Sequence, residues 1–595
     1  MKGDLMSISE RLSALRREMK QNGVDMYYIP TDDYHGSEYV CGHFKCREYI
    51  SGFTGSAGTV IVTDSYAGLW TDGRYFIQAE KQLEGTEYVL NKSGETGVLT
   101  PSEFILKNLG KGVLGFDGKT VSARFAEKLI SDIGREHILS VDLMDRIWED
   151  RPDMPCEKGF YLDEKYSGKS CGEKVSEIRS LIGEAHGDIF LLSSPDDICW
   201  LLNVRGRDIP HNPVILSYAA VSENTIVWFV DENKLTPEII DNICGVEIRP
   251  YEDFYEYIGN IPSDKTVIID RSRLNFEAVI RIPEGVKIVD RQNLTLIPKA
   301  IKNETEINNE RAAHIKDGVA VTKFIYEIKN HPEKYDELSA AELIMSLRSR
   351  QEGYIEESFE PIIAYGEHGA IVHYSADENS SCPLKAEGFL LCDTGGHYLE
   401  GTTDITRTIC LGKPTNEMKC AYTAVLRGHL ALADAKFRYG CRGANLDILA
   451  RAPLWELGMD FNHGTGHGVG YLLNVHESPN GIRMRFIPDH DCVLEDGMIT
   501  SDEPGVYIEG KFGIRTESLI LCRKGEKTEF GQFMYFEDLT LVPFDPDAVD
   551  ISQMTAHDIR LYNDYQHRVY DVIAPFLTAE ERDWLKEQTR PLSVQ

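Results

Sequence analysis

A stretch rich in turn formers and charge, RPDMPCEKGFYLDEKYSGKSCG at 151–172, interrupts the chain, and the text on its two sides follows one order. Before it come an opening helix, an apolar strand (VDMYYIP), then GTVIVT and AGLWTDGRYFIQAEKQL. After it, from Glu173, come a helix (EKVSEIRSLIGEAHG), a strand (DIFLLSS), an acidic turn with a hydrophobic stretch (PDDICWLLN), and the strands VILSYAAV and TIVWFVD. TDDYHGSEY and SPDDICWLL fall at matching places after the first strand of each half. Helices alternating with apolar strands specify α/β structure, and the recurrence predicts two related domains from a diverged duplication, at 1–155 and 156–298.

A second junction lies near NLTLIPKAIKNETE, where Pro298 and the cap-like run Asn303 to Glu306 precede a long helix. Ala312, Ile315, Val319 and Tyr326 predict one buried face for it. The third domain then runs over 299–595 and mixes strands with helices. Its end is helical: Leu561, Tyr565, Val569, Val572 and Phe576 are expected on one face, and Thr578 with Glu581 forms a capping box for a last helix carrying Trp584 and Leu585.

Composition narrows the partners. The chain has 595 residues, too many for one small domain, and 63 Lys and Arg against 96 Asp and Glu leave a net charge of −33. Phosphate backbones and anionic lipid surfaces repel such a chain, so neither nucleic acid nor membrane is expected as a partner. The opening segment is broken by Asp4, Glu10, Arg11, Arg16, Arg17 and Glu18, which makes it an amphipathic helix and not a signal peptide. The 13 cysteines are odd in number and contain no C-x-x-C pair, which points to a reducing, cytoplasmic setting.

In the third domain, five passages put acids and a histidine where packed strands normally carry apolar residues. Asp393 follows the apolar run of FLLCDTGG and Asp404 lies in GTTDITRT; Gly395, Gly396 and Gly401 between them predict a hairpin that sets both aspartates on neighbouring strands. His467 lies in HGTGHGVG, whose alternate glycines disfavour a helix. Glu503 lies in TSDEPG, and Glu517 in GIRTESLIL is expected inside a strand. Singly, each has a structural reading: Asp393 as a turn cap, Asp404 paired with Arg407, Glu503 at the surface before Pro-Gly, Glu517 paired with Arg515. Together in one pocket, four carboxylates would repel one another and resist desolvation, and two divalent cations would neutralise them. Oxygen ligands with one imidazole favour Mn²⁺, Co²⁺, Fe²⁺ or Zn²⁺ in a pair about 3.5 Å apart, a dinuclear hydrolytic site.

The order Asp, Asp, His, Glu, Glu resembles the signature of the pita-bread metallopeptidases. LLCDTGGHYLEGTTDITRT, HGTGHGVGYLLNVHE, TSDEPGVYIEGKFGIRTE and the upstream IVHYS all resemble aminopeptidase P passages. So do FTGSAGT, LWTDGRYF and the WLKEQ ending, and the three-part layout is similar to that of the long cytosolic Xaa-Pro aminopeptidases. The resemblance implies a pita-bread catalytic domain behind two creatinase-like α/β domains. It implies Asp393, Asp404, His467, Glu503 and Glu517 as metal ligands, with Asp404 and Glu517 bridging. The cofactor would be two divalent ions, Mn²⁺ first and Zn²⁺ or Co²⁺ next. His373, His463 and His476 match three non-ligand histidines that bind substrate or assist catalysis. Glu503 is the implied proton shuttle and His476 the oxyanion partner. Arg74, and less directly Arg47, would reach toward substrate, with a structural ion pair as the alternative. The implied reaction releases the N-terminal residue from peptides with proline second, in a cytoplasmic homodimer. Prolidase is the competing enzyme, methionine aminopeptidase a weaker one, and a metal-free peptide-binding module the non-enzyme reading.

Overall fold

The computed structural model describes residues 6–243, 245–487 and 491–593, and the chain forms two compact units. One holds residues up to Tyr161 and Lys169–Thr295; the other holds Leu162–Gly168 and everything from Leu296.

The first unit contains two six-stranded sheets of the same topology. In the first sheet, Met26–Pro30 pairs antiparallel with Thr59–Thr63 and parallel with Leu114–Phe116. Its flanks continue through Ala67–Thr71 to Val89–Lys92 on one side and to Ile138–Ser140 on the other. In the second, Ile189–Leu192 takes the place of Met26–Pro30, with Tyr218–Ser222 antiparallel and Thr266–Ile269 parallel. Ile226–Phe229, Val246–Arg249 and Lys287–Asp290 complete it with the pairing senses of the first. Two sheets that share six strands in one order, with one set of senses, are what a duplication leaves behind. The opening helices match as well: Ile8–Gln21 and Cys171–Glu184 each begin with a Ser-x-x-Glu capping box, Ser7 with Glu10 and Ser170 with Glu173. The halves differ where they were expected to correspond. TDDYHG is a loop, whereas Pro195–Leu202 is a buried helix with Pro195 in its first turn.

In the second unit, helices cover antiparallel sheets. Asn303 and Glu306 cap the 27-residue helix Glu304–Asn330 as its sequence predicts. Its buried side, however, carries Glu310, Ala313, His314, Asp317, Val319 and Phe324, while Ala312, Ile315 and Tyr326 are only partly covered. The apolar periodicity misleads because polar residues are turned inward, where Arg348 pairs with Asp317 at 2.6 Å. Likewise the helix Ala556–Ile573 buries Ile559, Tyr562, Tyr565, Val569 and Ile573, and Phe576 falls beyond its end and is exposed. The capping box of Thr578 and Glu581 forms. Phe389, Tyr422, Val425, Leu454, Phe512, Ile514 and Phe544 fill the main core between helices and strands. No helix among the described residues is long and apolar enough to cross a membrane.

Candidate metal centre

The predicted hairpin forms: Phe389–Thr394 pairs antiparallel with Ile405–Cys410, Asp393 lying opposite Thr406. Asp404 directly precedes the second of these strands. The intervening glycines let Gly396–Tyr398 and Gly401–Thr402 turn back on each other. His467 sits in the short strand Gly466–Gly468, paired with Glu477–Ile482 and with Ile499–Asp502. Glu503 immediately follows Ile499–Asp502, its N–H donating to Thr465 O at 2.8 Å. Glu517 was expected inside a strand; it stands one residue before Ser518–Thr528, tied by its own N–H to Thr406 O at 3.1 Å.

Donor atoms of Asp404, His467 and Glu517 lie within 4.8 Å of one another. His467 Nε2 is 3.4 Å from Asp404 Oδ2 and 3.7 Å from Glu503 Oε1. Thr406 Oγ1 donates to Glu517 Oε2 at 2.7 Å, and Arg515 Nη2 donates to Asp393 Oδ2 at 2.6 Å. Asp393, Asp404 and Glu517 are buried and Glu503 nearly so. Burial pushes the carboxyl of Asp393 up, with Arg515 opposing and Asp404 adding to the shift. Burial likewise lifts Glu503 to about 7, opposed by His467 and Arg515. At Glu517 burial and the charges of Asp404, Glu503 and Asp393 act together, and its carboxyl lies well above the usual range. His467 is raised to about 9: burial works against its charge, and the hydrogen bond to Asp404 and the charge of Glu503 outweigh it.

Neither arginine pairing read from the sequence forms. Arg407 does not pair with Asp404; it donates to the carbonyls of Thr406, Glu517 and Val542 and to Tyr565. Arg515 turns to Asp393, to Tyr507 Oη at 2.7 Å and to Thr406.

The three further histidines are half-buried. His476 meets His467 edge to face, ring centres 4.3 Å apart. His463 has its Nε2 2.8 Å from Tyr507 Oη, which Arg515 also reaches. His373 lies on the segment that follows the short helix Gly366–Ala370. Arg74 belongs to the first unit, where it donates to both carboxylate oxygens of Asp72 at 2.8 Å. Arg47 is buried there, donating to Thr31 and to the Phe53 and Gly55 carbonyls. The sequence reading missed Arg515 and Tyr507 as parts of the site. The only available signal was their position within the Glu503 to Glu517 passage.

Buried carboxylates converging with an imidazole on a helix-covered sheet define a metal-dependent hydrolase. Family comparison agrees. Two models described as Creatinase/Prolidase N-terminal domain match residues 11–151 and 150–306, metallopeptidase family M24 matches 308–524, and the C-terminal region of peptidase M24 matches 532–592. A probable Xaa-Pro aminopeptidase P of Laccaria bicolor is 37% identical over 99% of this chain and 94% of its own. Xaa-Pro aminopeptidase 1 of Dictyostelium discoideum is 38% identical over 99% and 97%. The crystal structure of an X-prolyl aminopeptidase from Caenorhabditis elegans, described as a cytosolic enzyme with a di-nuclear active site, superposes with a TM-score of 0.93 at 33% identity, covering 99% of this chain and all of that one. The Xaa-Pro dipeptidase of Bacillus anthracis, at 25% identity and TM-score 0.52, covers 63% of this chain and 99% of its own. The chain belongs to the Xaa-Pro aminopeptidase branch of metallopeptidase family M24.

Proposed function

We propose that the protein removes the N-terminal residue from peptides whose second residue is proline, using two divalent ions held by Asp393, Asp404, His467, Glu503 and Glu517. The observation that carries this reading is the convergence of Asp404, His467 and Glu517 donors within 4.8 Å. The donor set fits such ions: Asp393 Oδ1 is buried with no hydrogen-bond partner, and the carboxyls of Asp393 and Glu517 are pushed up by burial and by neighbouring acids, a strain that cations relieve. Hard oxygens with one nitrogen suit Mn²⁺, with Zn²⁺ or Co²⁺ as substitutes.

Bound ions of this kind lower the pKa of a coordinated water toward neutrality and polarise a carbonyl. Everything else falls to the chain. Asp404 and Glu517 would hold the ions, and Thr406 keeps Glu517 in orientation for this. Glu503, the least buried of the four acids, takes the proton from the attacking water at its Oε atoms and returns it to the proline nitrogen as the C–N bond breaks. The products are the free N-terminal amino acid and a peptide beginning with proline. His476, edge-on to His467, donates to the oxygen on which negative charge develops. His463, fixed through Tyr507, and His373 position the peptide. A bond before proline has no N–H, so the site recognises a ring and not a donor at that place.

The match of the Caenorhabditis elegans X-prolyl aminopeptidase to 99% of this chain, both creatinase-type domains included, supports an aminopeptidase over a dipeptidase. A cytoplasmic location is supported by the cytosolic Caenorhabditis elegans enzyme. A homodimer is supported by Ile448, Trp455 and Leu457, exposed apolar residues on and just after the helix Asp447–Trp455, the first two seven positions apart on one face.

The test is metal analysis with an assay series: an Xaa-Pro dipeptide, an Xaa-Pro-Xaa tripeptide and a proline-free control. Two Mn²⁺ per Mn²⁺-loaded chain and preferential cleavage of the tripeptide are expected; cleavage of the dipeptide alone would identify a prolidase.

A further inference from the structure

Apart from Asp404, His467 and Glu517, one other group of His, Cys and acidic side chains among the described residues brings its donor atoms within 4.8 Å: Glu337, His368 and Cys382. Glu337 opens the helix Glu337–Arg348 and is fully buried, with no Lys or Arg within ion-pairing distance of it among the described residues. His368 Nδ1 is 2.8 Å from Glu337 Oε1 and 3.1 Å from Oε2, and Cys382 Sγ is 3.8 Å from the same nitrogen. Nitrogen, sulfur and oxygen donors around one zinc-sized ion stand about 3.3 to 3.5 Å from each other. The observed separations lie within a few tenths of an ångström to about half an ångström of those values.

The donors are held by one shared hydrogen-bond network. Tyr374 Oη donates to Glu337 Oε2 at 2.8 Å, and the N–H groups of Tyr365 and Cys382 donate to the same carboxylate. The His368 ring stacks on Tyr374, ring centres 4.5 Å apart. An isolated bridge between Asp336 and Pro383 fixes the backbone beside Cys382. Supporting hydrogen bonds of this kind orient the ligands of metal sites. His368 and Cys382 are partly exposed, so an ion has a path in and solvent can fill the fourth position. The thiol is no nucleophile: burial and the Glu337 charge push it up to about 11.

We propose that Glu337, His368 and Cys382 form a second metal site, separate from the five-residue centre, for a borderline-soft divalent ion of the zinc class. Binding exchanges the thiol proton for the ion. The Nδ1 proton moves to Nε2, so thiolate, carboxylate and M²⁺ sum to neutrality. Because His373 lies between His368 and Cys382 in the chain, an ion there ties both ends of the segment that bears it. That segment packs tightly on the strand Phe512–Arg515, where a Cβ on Gly369 would stand 2.9 Å from Gly513 N. The site therefore restrains His373 from outside the reaction centre.

The experiment loads the full-length protein with Mn²⁺ and titrates it with Co²⁺, reading the near-ultraviolet charge-transfer band that needs a thiolate ligand. The five-residue centre has no sulfur and cannot produce this band. A band that saturates at one equivalent in the wild type, is absent in Cys382→Ser and needs at least about tenfold more Co²⁺ in His368→Gln is expected. No band in the wild type, or one unchanged in Cys382→Ser, overturns the proposal.

Discussion

Arg515 and Asp393 are joined by a 2.6 Å hydrogen bond in which the guanidinium spends one nitrogen on a carboxylate of the candidate metal centre and another on Tyr507. One cation thus links the centre to His463, 2.8 Å from the same tyrosine hydroxyl. Replacing Arg515 with Met leaves Asp393 without its counter-charge and frees Tyr507. Metal affinity should fall 10–100-fold, as loss of a supporting partner does elsewhere, and competition with a fluorescent chelator measures it.

Tyr507→Phe keeps the ring packed between His463 and Arg515 and removes only the hydroxyl. The metal content should not change, whereas kcat/KM for an Xaa-Pro-Xaa peptide should fall about tenfold, roughly 1.4 kcal/mol of lost positioning. Parallel metal analysis and kinetics separate the two effects.

Asp404→Asn should abolish turnover, by about 10³-fold or more, with little loss of folded protein. Without metal the variant should melt higher than metal-free wild type, because it removes one of the charges that lift Glu517. Circular dichroism melts with and without Mn²⁺ check both parts.

Chelation should inactivate the enzyme and lower its melting temperature together, with Mn²⁺ restoring both. An ion bound only by the folded state stabilises it by about 2.7 kcal/mol at a hundredfold excess over Kd.

In the first unit, His35 is buried with Nδ1 2.9 Å from Ser193 O and Nε2 2.7 Å from Tyr251 Oη. The carbonyl requires Nδ1 to donate, the hydroxyl can donate to Nε2, and burial lowers the pKa below its ordinary value. The unfolded chain therefore takes up a proton near pH 6.5 that the folded one refuses. Stability is fully present above that pH and declines as pH falls, by up to about 1.4 kcal/mol per unit, until the folded pKa is reached. Urea titrations at several pH values should show this decline, and His35→Gln should flatten it.

Much of the candidate site was legible because its chemistry is written in local text. Gly395, Gly396 and Gly401 gave the hairpin between Asp393 and Asp404, and the alternate glycines around His467 excluded a helix. Partner choice was not legible. Arg407 and Arg515 each stand beside an acid in sequence, yet one spends its donors mainly on backbone carbonyls and the other crosses to Asp393. Such pairings depend on strands distant in the chain. The helix Glu304–Asn330 misled for a related reason: Glu310, His314 and Asp317 are inside it, and a pattern that reads only apolar residues as buried turns the wrong face inward.

Arg407 also connects chemistry to the far end of the polypeptide. Its Nη1 donates to Glu517 O, while Nη2 reaches Val542 O and the hydroxyl of Tyr565 on the helix Ala556–Ile573. Proteolytic clipping ahead of Ala556 would spare every acid and histidine named for catalysis and still take away the guanidinium's outer anchor. The tail thereby braces, from its own helix, the guanidinium that caps the Glu517 carbonyl.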